Sequence, residues 1–309
     1  MFLMASIKMM RTKIHHAPKM KLVSIIIVNF NKKELLKQCL DSIRNNTTYR
    51  NYEVIVVDNG SSDGSQEMVE KKYRWVKLIK NRENLGFAKA NNIGIKMAKG
   101  DYIFLLNNDA IIIQKDWLEN MIAVAESNPK IGIVGCKLVG PDGVIQHVGG
   151  WYNVRGTGHY TKNVDKTVEV DYVTGAALLI KKEVIERIGL LDEGYSPVYY
   201  EDTDLCARCR RAGYKIVCTP KTVIVHIGSS TTSKWLSSGF RFYVENKNRL
   251  RFILLNYPIH WLIARIPNEL GILAYSLITG RFSEISHAYL ENLKELKTIL
   301  QERWKRMLV

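Results

Sequence analysis

The groups best suited to chemistry in this 309-residue chain stand at the ends of apolar runs. Ile103-Phe104-Leu105-Leu106 is apolar throughout and breaks off at Asn107-Asn108-Asp109. Such a run reads as a buried strand of a parallel sheet, and open α/β sheets bind ligands just beyond the carboxyl ends of their strands. A carboxylate delivered there suits a hard divalent cation bridging a diphosphate, because magnesium is held by one or two carboxylates plus substrate phosphates. The plainer reading is a polar turn after a strand. Asp58 closes a second apolar run and leads into Asn59-Gly60-Ser61-Ser62-Asp63-Gly64-Ser65. A strand-end acid facing a nucleotide commonly accepts hydrogen bonds from its base or ribose. A third group is Glu201-Asp202-Thr203-Asp204, preceded by Tyr199-Tyr200. Acids at a helix start are favoured by the macrodipole, which accounts for Asp204 better than for Asp202. Aromatic neighbours raise a carboxylate's pKa, and a carboxylate so placed can act as a general base. His226 also closes an apolar run, although a lone strand-end histidine is more often structural.

Positioning these groups falls to alternating strands and helices. Residues 22–30 (LVSIIIVNF) read as the first, central strand, and residues 33–45 as an amphipathic helix with Leu35, Leu36, Cys39, Leu40 and Ile43 at helical spacing. Strands are expected over 53–57 and 76–79, with helices starting near Gln66 and over 85–98. This alternation predicts a mostly parallel sheet flanked by helices. Asn84-Leu85-Gly86-Phe87-Ala88-Lys89 opens the last of those helices. Its N-terminal amides and Lys89 suit a phosphate, or Gly86 is a tight packing point, and the residues favour neither reading. A helix over 117–125 and a strand over 131–139 follow. Residues 140–161 are rich in glycine and aromatics, Trp151 among them, and read as a substrate-facing loop. Residues 170–180 read as a buried strand in which Thr174 and Gly175 let a sugar approach the backbone. Residues 215–217 and 223–225 read as two short strands.

The composition is that of a folded protein, 46% hydrophobic and 24% charged, and the net charge of +15 predicts an anionic partner. Nucleotide phosphates, nucleic acid or an acidic membrane surface would each answer it, and no nucleic-acid recognition motif accompanies the charge. A dehydrogenase is excluded by the lack of G-x-G-x-x-G after the first strand. Five cysteines give no disulfide framework and fit a reducing compartment. Cys206, Cys209, Cys218 and His226 imitate a zinc set, but Cys206 and Cys209 fit better as small apolar residues sharing a helix face. No run of 18 uninterrupted apolar residues predicts a membrane span. Residues 1–20 carry basic residues and no acid, lack a signal-peptide core, and read as a disordered basic arm, with Met20 an alternative start.

Seven segments then follow one another over roughly residues 23–230: SIIIVNFN, VIVVDNGSSDGS, NLGFAKANNIGI, GDYIFLLNND, VTGAALLIKKEV, GLLDEGY and YYEDTDLCARCRRAGY. In their order and spacing they resemble the glycosyltransferase family 2 enzymes of GT-A fold, most of all the rhamnosyltransferase-like branch that builds cell-surface polysaccharide. The resemblance implies an α/β, Rossmann-like catalytic domain over 21–236 with a helical C-terminal appendage over 237–309. It implies inverting transfer of a hexosyl or deoxyhexosyl group from a dTDP- or UDP-sugar to a saccharide or lipid-linked saccharide, with magnesium or manganese as cofactor. Asp58 would bind the base with Asn29 near it, and Asn107 and Asn108 would lie on the donor side. Asp109 would be the last position of a metal motif usually written Asp-x-Asp, in which Asn107 removes one charge. His226 would complete the metal shell, Asp202 would be the catalytic base, and Glu201 and Thr174 would lie near the acceptor. Transfer to polyprenyl phosphate and a non-catalytic nucleotide-sugar-binding module are the rival readings.

Beyond residue 237 the resemblance thins. Tyr243, Glu245, Asn246, Lys247, Asn248, Arg249 and Arg251 form a polar-basic cluster, and Pro258 and Pro267 are expected to break the following stretch into short helices. Tyr257 and Trp261 with flanking arginines suit a helix lying in a membrane interface, giving a cytoplasmic protein peripheral at the inner face of the membrane. A helix covering the catalytic domain or a second subunit is the alternative. Residues 291–306 read as one charged helix with Leu293, Leu296, Ile299 and Leu300 on one stripe.

Overall fold

The computed structural model describes residues 20–228 and 237–307. The basic arm expected over 1–20 lies outside the described residues except for Met20, as does the boundary placed at 236/237. The first half of the fold is β1 (Val23–Asn29), α1 (Lys33–Asn45), β2 (Tyr52–Asp58), α2 (Ser65–Lys72), β3 (Val76–Lys80), α3 (Phe87–Met97) and β4 (Tyr102–Asn107). The four strands are parallel in the order β3-β2-β1-β4. Their residues alternate between two buried clusters: Ile25, Val56 and Phe104 on one face, Ile26, Ile55 and Leu105 on the other. Both faces are covered, so the runs are continuously apolar rather than alternating. The register pairs Asn29 with Asp58 and Val28 with Asn107, which brings the polar strand ends to one edge.

The second half comprises β5 (Ala110–Ile112), α4 (Trp117–Glu126), β6 (Ile131–Val139), β7 (Ile145–His147), the hairpin β8 (Gly150–Asn153) and β9 (Gly156–His159), β10 (Val168–Glu169), β11 (Ala177–Lys181), α5 (Lys182–Ile188), a 3₁₀ turn (Glu193–Tyr195), α6 (Glu201–Arg211) and β12 (Lys215–His226). The sheet continues from β4 through β11, β6 and β12 to β10, with β11 antiparallel to both its neighbours. It is the mixed, mostly parallel sheet of a GT-A fold. Two expectations are corrected. The strand expected over 170–180 is reduced to β11, because the chain turns at Thr174, whose carbonyl accepts from Ala177 N. The two short strands expected after residue 215 are one strand. It shifts register between Thr219 and Val223, where Pro220 has no N–H to give the ladder.

Four helices follow: α7 (Ser238–Asn256), α8 (Ile259–Ile278), α9 (Phe282–Lys294) and α10 (Leu296–Met307). Pro258 separates α7 from α8 as expected, but Pro267 lies inside α8 and does not end it. The carbonyl that loses its donor there belongs to Ile263, a residue 63% exposed, where water can replace it. The single helix expected over 291–306 is interrupted at Glu295, and Leu293 and Leu300 are exposed while Ile299 is buried. Tyr257 is 1% exposed and packs with Phe252, Leu255 and Ile299 in a third core, with Trp261 against it. Neither is therefore an interfacial anchor. The exposed apolar face of α8 is formed instead by Ile259, Ile263, Ile266, Leu270 and Leu277. No described helix is long and apolar enough to cross a membrane. Cys206 and Cys209 are fully buried in the core with Cys218.

Candidate active site

A cleft of about 730 Å³ opens along the carboxyl edge of the sheet, within the size range of small-molecule sites. Its first wall comes from the β1–β4 half. Asn59 Nδ2 donates to Asn84 Oδ1 and to Gly86 O, each at 3.2 Å, and Asn59, Asn84 and Gly86 line the cleft. Asp58 and Asn29 lie beneath this wall, in a buried hydrogen-bond chain. Asn108 Nδ2 donates to Asn29 Oδ1 at 2.8 Å, and Asn29 Nδ2 to Asp58 Oδ2 at 3.0 Å. The other Asp58 oxygen accepts from Ser61 N and from Gln66 Nε2. Gly86, at φ +80°, is a close-approach point: a Cβ there would meet Pro197 O at 2.9 Å. The amide of Phe87, at the start of α3, already donates to that same Pro197 O. Lys89 is exposed and does not line the cleft.

Pairing of β5 with β12 sets Ala110 opposite His226 and so brings the histidine beside Asp109. His226 Nε2 lies 3.3 Å from Asp109 Oδ1 and 3.3 Å from Asn107 Nδ2. Gln146 grips the histidine at two points: its Nε2 donates to His226 O, which turns Oε1 toward Nδ1 at 3.0 Å. Where Gln146 Oε1 accepts from Nδ1–H, Nε2 keeps a lone pair that can accept from Asn107 Nδ2 or bind a cation. Adjacent ligands on an octahedron with bonds of about 2.1 Å lie roughly 3.0 Å apart, so Asp109 and His226 fit a shared divalent cation. Gln146 is then the outer partner that fixes the ligand's tautomer.

Glu201, Asp202, Thr174 and Gly175 line the same cleft. Gly175 N donates to Asp202 Oδ2 at 2.8 Å and Thr203 N to Oδ1 at 2.6 Å, which fixes the carboxylate at the start of α6. Burial, and then the adjacent Asp202 charge, push the Glu201 carboxyl well above the usual carboxylate range. Its Oε2 has no hydrogen-bond partner among the described residues. Glu201 is thus the carboxyl of the two that burial disposes to keep its proton. Asp204 plays no part in the cleft; it is buried against Arg208, Arg306, Tyr195 and Asn256.

Tyr199 and Tyr200, immediately before α6, have φ of +82° and +74°. Non-glycine residues in this left-handed region persist only where their surroundings over-determine them. Asn248 of α7 does so, its Nδ2 donating to the carbonyls of Tyr195, Val198 and Tyr199 at 2.7, 2.8 and 3.1 Å. Asn248→Ala is therefore expected to lower kcat by about tenfold or more while nucleotide affinity stays within about twofold. Steady-state kinetics beside a nucleotide titration check it; equal losses in both would place Asn248 elsewhere in the mechanism.

Of the residues singled out in the sequence, Asn84, Gly86, Asn107, Asn108, Asp109, Thr174, Gly175, Glu201, Asp202 and His226 meet at this cleft. Asn29 and Asp58 underlie it, and Lys89 stands off it. Trp151 does not line it either, its ring lying against Gly158 of the β8–β9 hairpin. Sequence reasoning missed Gln146, His147 and Asn248. The first two were hidden in a Gly-rich stretch, and Asn248 in a basic cluster where only the charges drew notice.

The fold and cleft define a GT-A architecture whose cleft is lined by a cation-compatible pair and a held carboxylate. The model of glycosyl transferase family 2 matches residues 24–189, more than half of the chain, and the chain belongs to that family. It is 35% identical over 226 residues to an uncharacterized protein of Sinorhizobium fredii, covering 68% of this chain and 25% of the relative. It is 29% identical to the O-antigen biosynthesis protein RfbC of Myxococcus xanthus, covering 68% of this chain and 17% of RfbC. This chain thus spans about a quarter or less of those two relatives. It is 25% identical to the N-acetylglucosaminyl-diphospho-decaprenol L-rhamnosyltransferase of Mycobacterium tuberculosis, over 68% of this chain and 77% of that one. Among solved structures, the mannosyltransferase PcManGT of Pyrobaculum calidifontis, in complex with GDP-Man and Mn2+, superposes with a TM-score of 0.56. It is 16% identical and covers 92% of this chain and 84% of its own. GalNAc-T7 with UDP, GalNAc and Mn2+ superposes at 0.62, with 18% identity over 77% of this chain and 48% of its own.

Proposed function

We propose that this chain is an inverting glycosyltransferase that moves a sugar from a nucleoside-diphosphate sugar to a saccharide hydroxyl in cell-surface polysaccharide synthesis. The observation carrying the reading is that a held carboxylate, Asp202, lines the same cleft as the Asp109–His226 pair. An acceptor hydroxyl is a poor nucleophile near neutral pH, so Asp202 takes its proton as it attacks the anomeric carbon. The new carbon–oxygen bond forms on the face opposite the breaking bond to the diphosphate, and a single displacement inverts the centre. The transition state is oxocarbenium-like, as in glycoside hydrolysis. Asp109 and His226 would hold a divalent cation that, when bound, neutralises charge gathering on the departing diphosphate. Glu201, whose carboxyl burial pushes upward, would lie near the acceptor. The rhamnosyltransferase relative, named for transfer to N-acetylglucosaminyl-diphospho-decaprenol, favours a deoxyhexosyl donor and a lipid-linked saccharide as acceptor.

Transfer to polyprenyl phosphate is less favoured, because the cleft arginines are already paired: Arg241 with Glu245 at 2.9 Å and Arg249 with Glu269 at 2.8 Å. A non-catalytic module is disfavoured by the retained and oriented Asp202. The exposed face of α8 is where contact with a membrane or second subunit would form. Calorimetric titration of UDP, dTDP and GDP, each with and without manganese, tests the donor half of this reading. One nucleotide is expected to bind, and only with metal; no binding of any nucleotide would overturn it.

A further inference from the structure

Helix α8 is polar inside and apolar outside. Of its twenty residues only Arg265 and Ser276 are buried. Trp261 and Leu262 are partly buried against the third core, whereas Ile259, Ile263, Ile266, Leu270 and Leu277 stand 55–68% exposed. The helix has two charged residues, and both are turned inward. Arg265 Nη2 donates to Glu269 Oε1 at 2.7 Å, and the same carboxylate takes Arg249 of α7. The exposed surface of α8 therefore carries no charge along its length. Helices in folded proteins are stabilised chiefly by packing an apolar face, and this one leaves most of that face bare. The bare residues are also regularly spaced. Ile259, Ile263, Ile266, Leu270, Leu273 and Leu277 follow one another in alternating steps of four and three. That alternation makes the narrow seam by which one helix packs along another.

We propose that this seam is covered by α8 of a second copy of the chain, so that the protein is a dimer through its C-terminal helices. A two-fold axis brings one patch against itself, and charge selects this occupant. With a net charge of +15 the chain repels its own copies over most of its surface. At α8 two copies meet without like charges in contact. His260, Pro267 and Ala274, on the solvent side of the seam, add no formal charge. The exposed apolar side chains of α8, with Ile278 at 84%, offer roughly 700 Å² per copy, close to the ~800 Å² a standard interface takes from each partner. A helix lying in a lipid surface would instead carry lysines and arginines on its polar side. This helix has no lysine, and its one arginine is 3% exposed. The proposal is independent of the sugar-transfer reading and assigns one partner to the α8 face. The seam lies one helix away from the candidate active site, since Glu269 holds Arg249, which lines the cleft.

Sedimentation velocity of the full chain across a wide range of concentration is expected to give a mass that rises from one chain to two. Leu270→Glu and Ala274→Glu each set a charge on both sides of the dimer contact, but on exposed surface in the single chain. Each should weaken dimerisation about hundredfold or more. Their circular dichroism and thermal midpoints, taken at a concentration where the parent is also a single chain, should match the parent's. Lys72→Glu, an exposed charge change on α2, should leave the dimer intact. The proposal is overturned if the parent is a single chain at every concentration, or if the dimer survives both glutamates. In the first case, pelleting of the parent with phosphatidylglycerol vesicles, lost in Leu270→Glu, would give the face to lipid. Nucleotide titration of the same preparations reports on the enzyme reading separately.

Discussion

Replacing Asp202 by Asn is expected to reduce sugar transfer by about 10²- to 10⁴-fold while the Kd of the donor nucleotide stays within about twofold. The substitution keeps the shape of the side chain and one oxygen, which can still accept from Gly175 N, and gives up the bond from Thr203 N. What it removes is the ability to take a proton from the attacking hydroxyl. The wall proposed to take the nucleotide is built by Asn59, Asn84 and Gly86, none of which is hydrogen-bonded to Asp202. The two effects should therefore separate. Initial rates at saturating donor, set beside a calorimetric titration of the same variant, check the expectation. Transfer and nucleotide affinity falling together would show that Asp202 holds the donor instead of activating the acceptor.

Asp204→Ala is expected to cost about 3–5 kcal/mol of stability, because it leaves buried arginines unpaired. The Asp204 carboxylate is fully buried, pairs with Arg208 of its own helix, and holds α6 to the C-terminal helices through Arg306 of α10 and Asn256 of α7. Burial alone would raise its pKa, but Arg208 and Arg306 outweigh that and hold it well below the usual carboxylate range. Glu269, between Arg249, Arg265 and Tyr289, is likewise lowered to about 2 against the pull of its burial. Both folded pKa values lie below the ordinary carboxylate values of about 4, so the unfolded chain binds more protons in that window. The stability these groups supply is present above about pH 4 and is lost as pH falls through their folded values. Urea unfolding of the parent protein should show a lower midpoint at pH 3 than at pH 7. The Asp204→Ala midpoint should be depressed at pH 7 and less dependent on pH between the two. An unchanged midpoint at pH 7 would show that the Asp204 cluster does not tie the helices to the fold.

The sequence by itself determined the parallel half of the sheet, since β1, β2 and β4 are buried on both faces and must read as unbroken apolar runs. It also placed Asn107, Asp109, Asp202 and Glu201 at element ends, where such a sheet presents side chains to a ligand. Tertiary structure alone decided which of these groups meet. The approach of His226 to Asp109 depends on the register of β5 against β12, and no local pattern encodes a pairing across more than a hundred residues. The division of labour within Glu201-Asp202-Thr203-Asp204 was equally hidden. Three acids in four residues look alike in the chain, but one turn of helix aims Asp202 at Gly175 and Asp204 at Arg306. Lys89 and Trp151 fail in the opposite sense: their types suited phosphate and sugar, but the packing points them elsewhere. Asn248 was read only as part of a charged stretch, although it holds the strained turn before α6 through three carbonyls. Periodicity records burial, which is a local demand. Hydrogen-bond partners are chosen by whichever distant segment packs alongside, and that choice is made only when the chain folds.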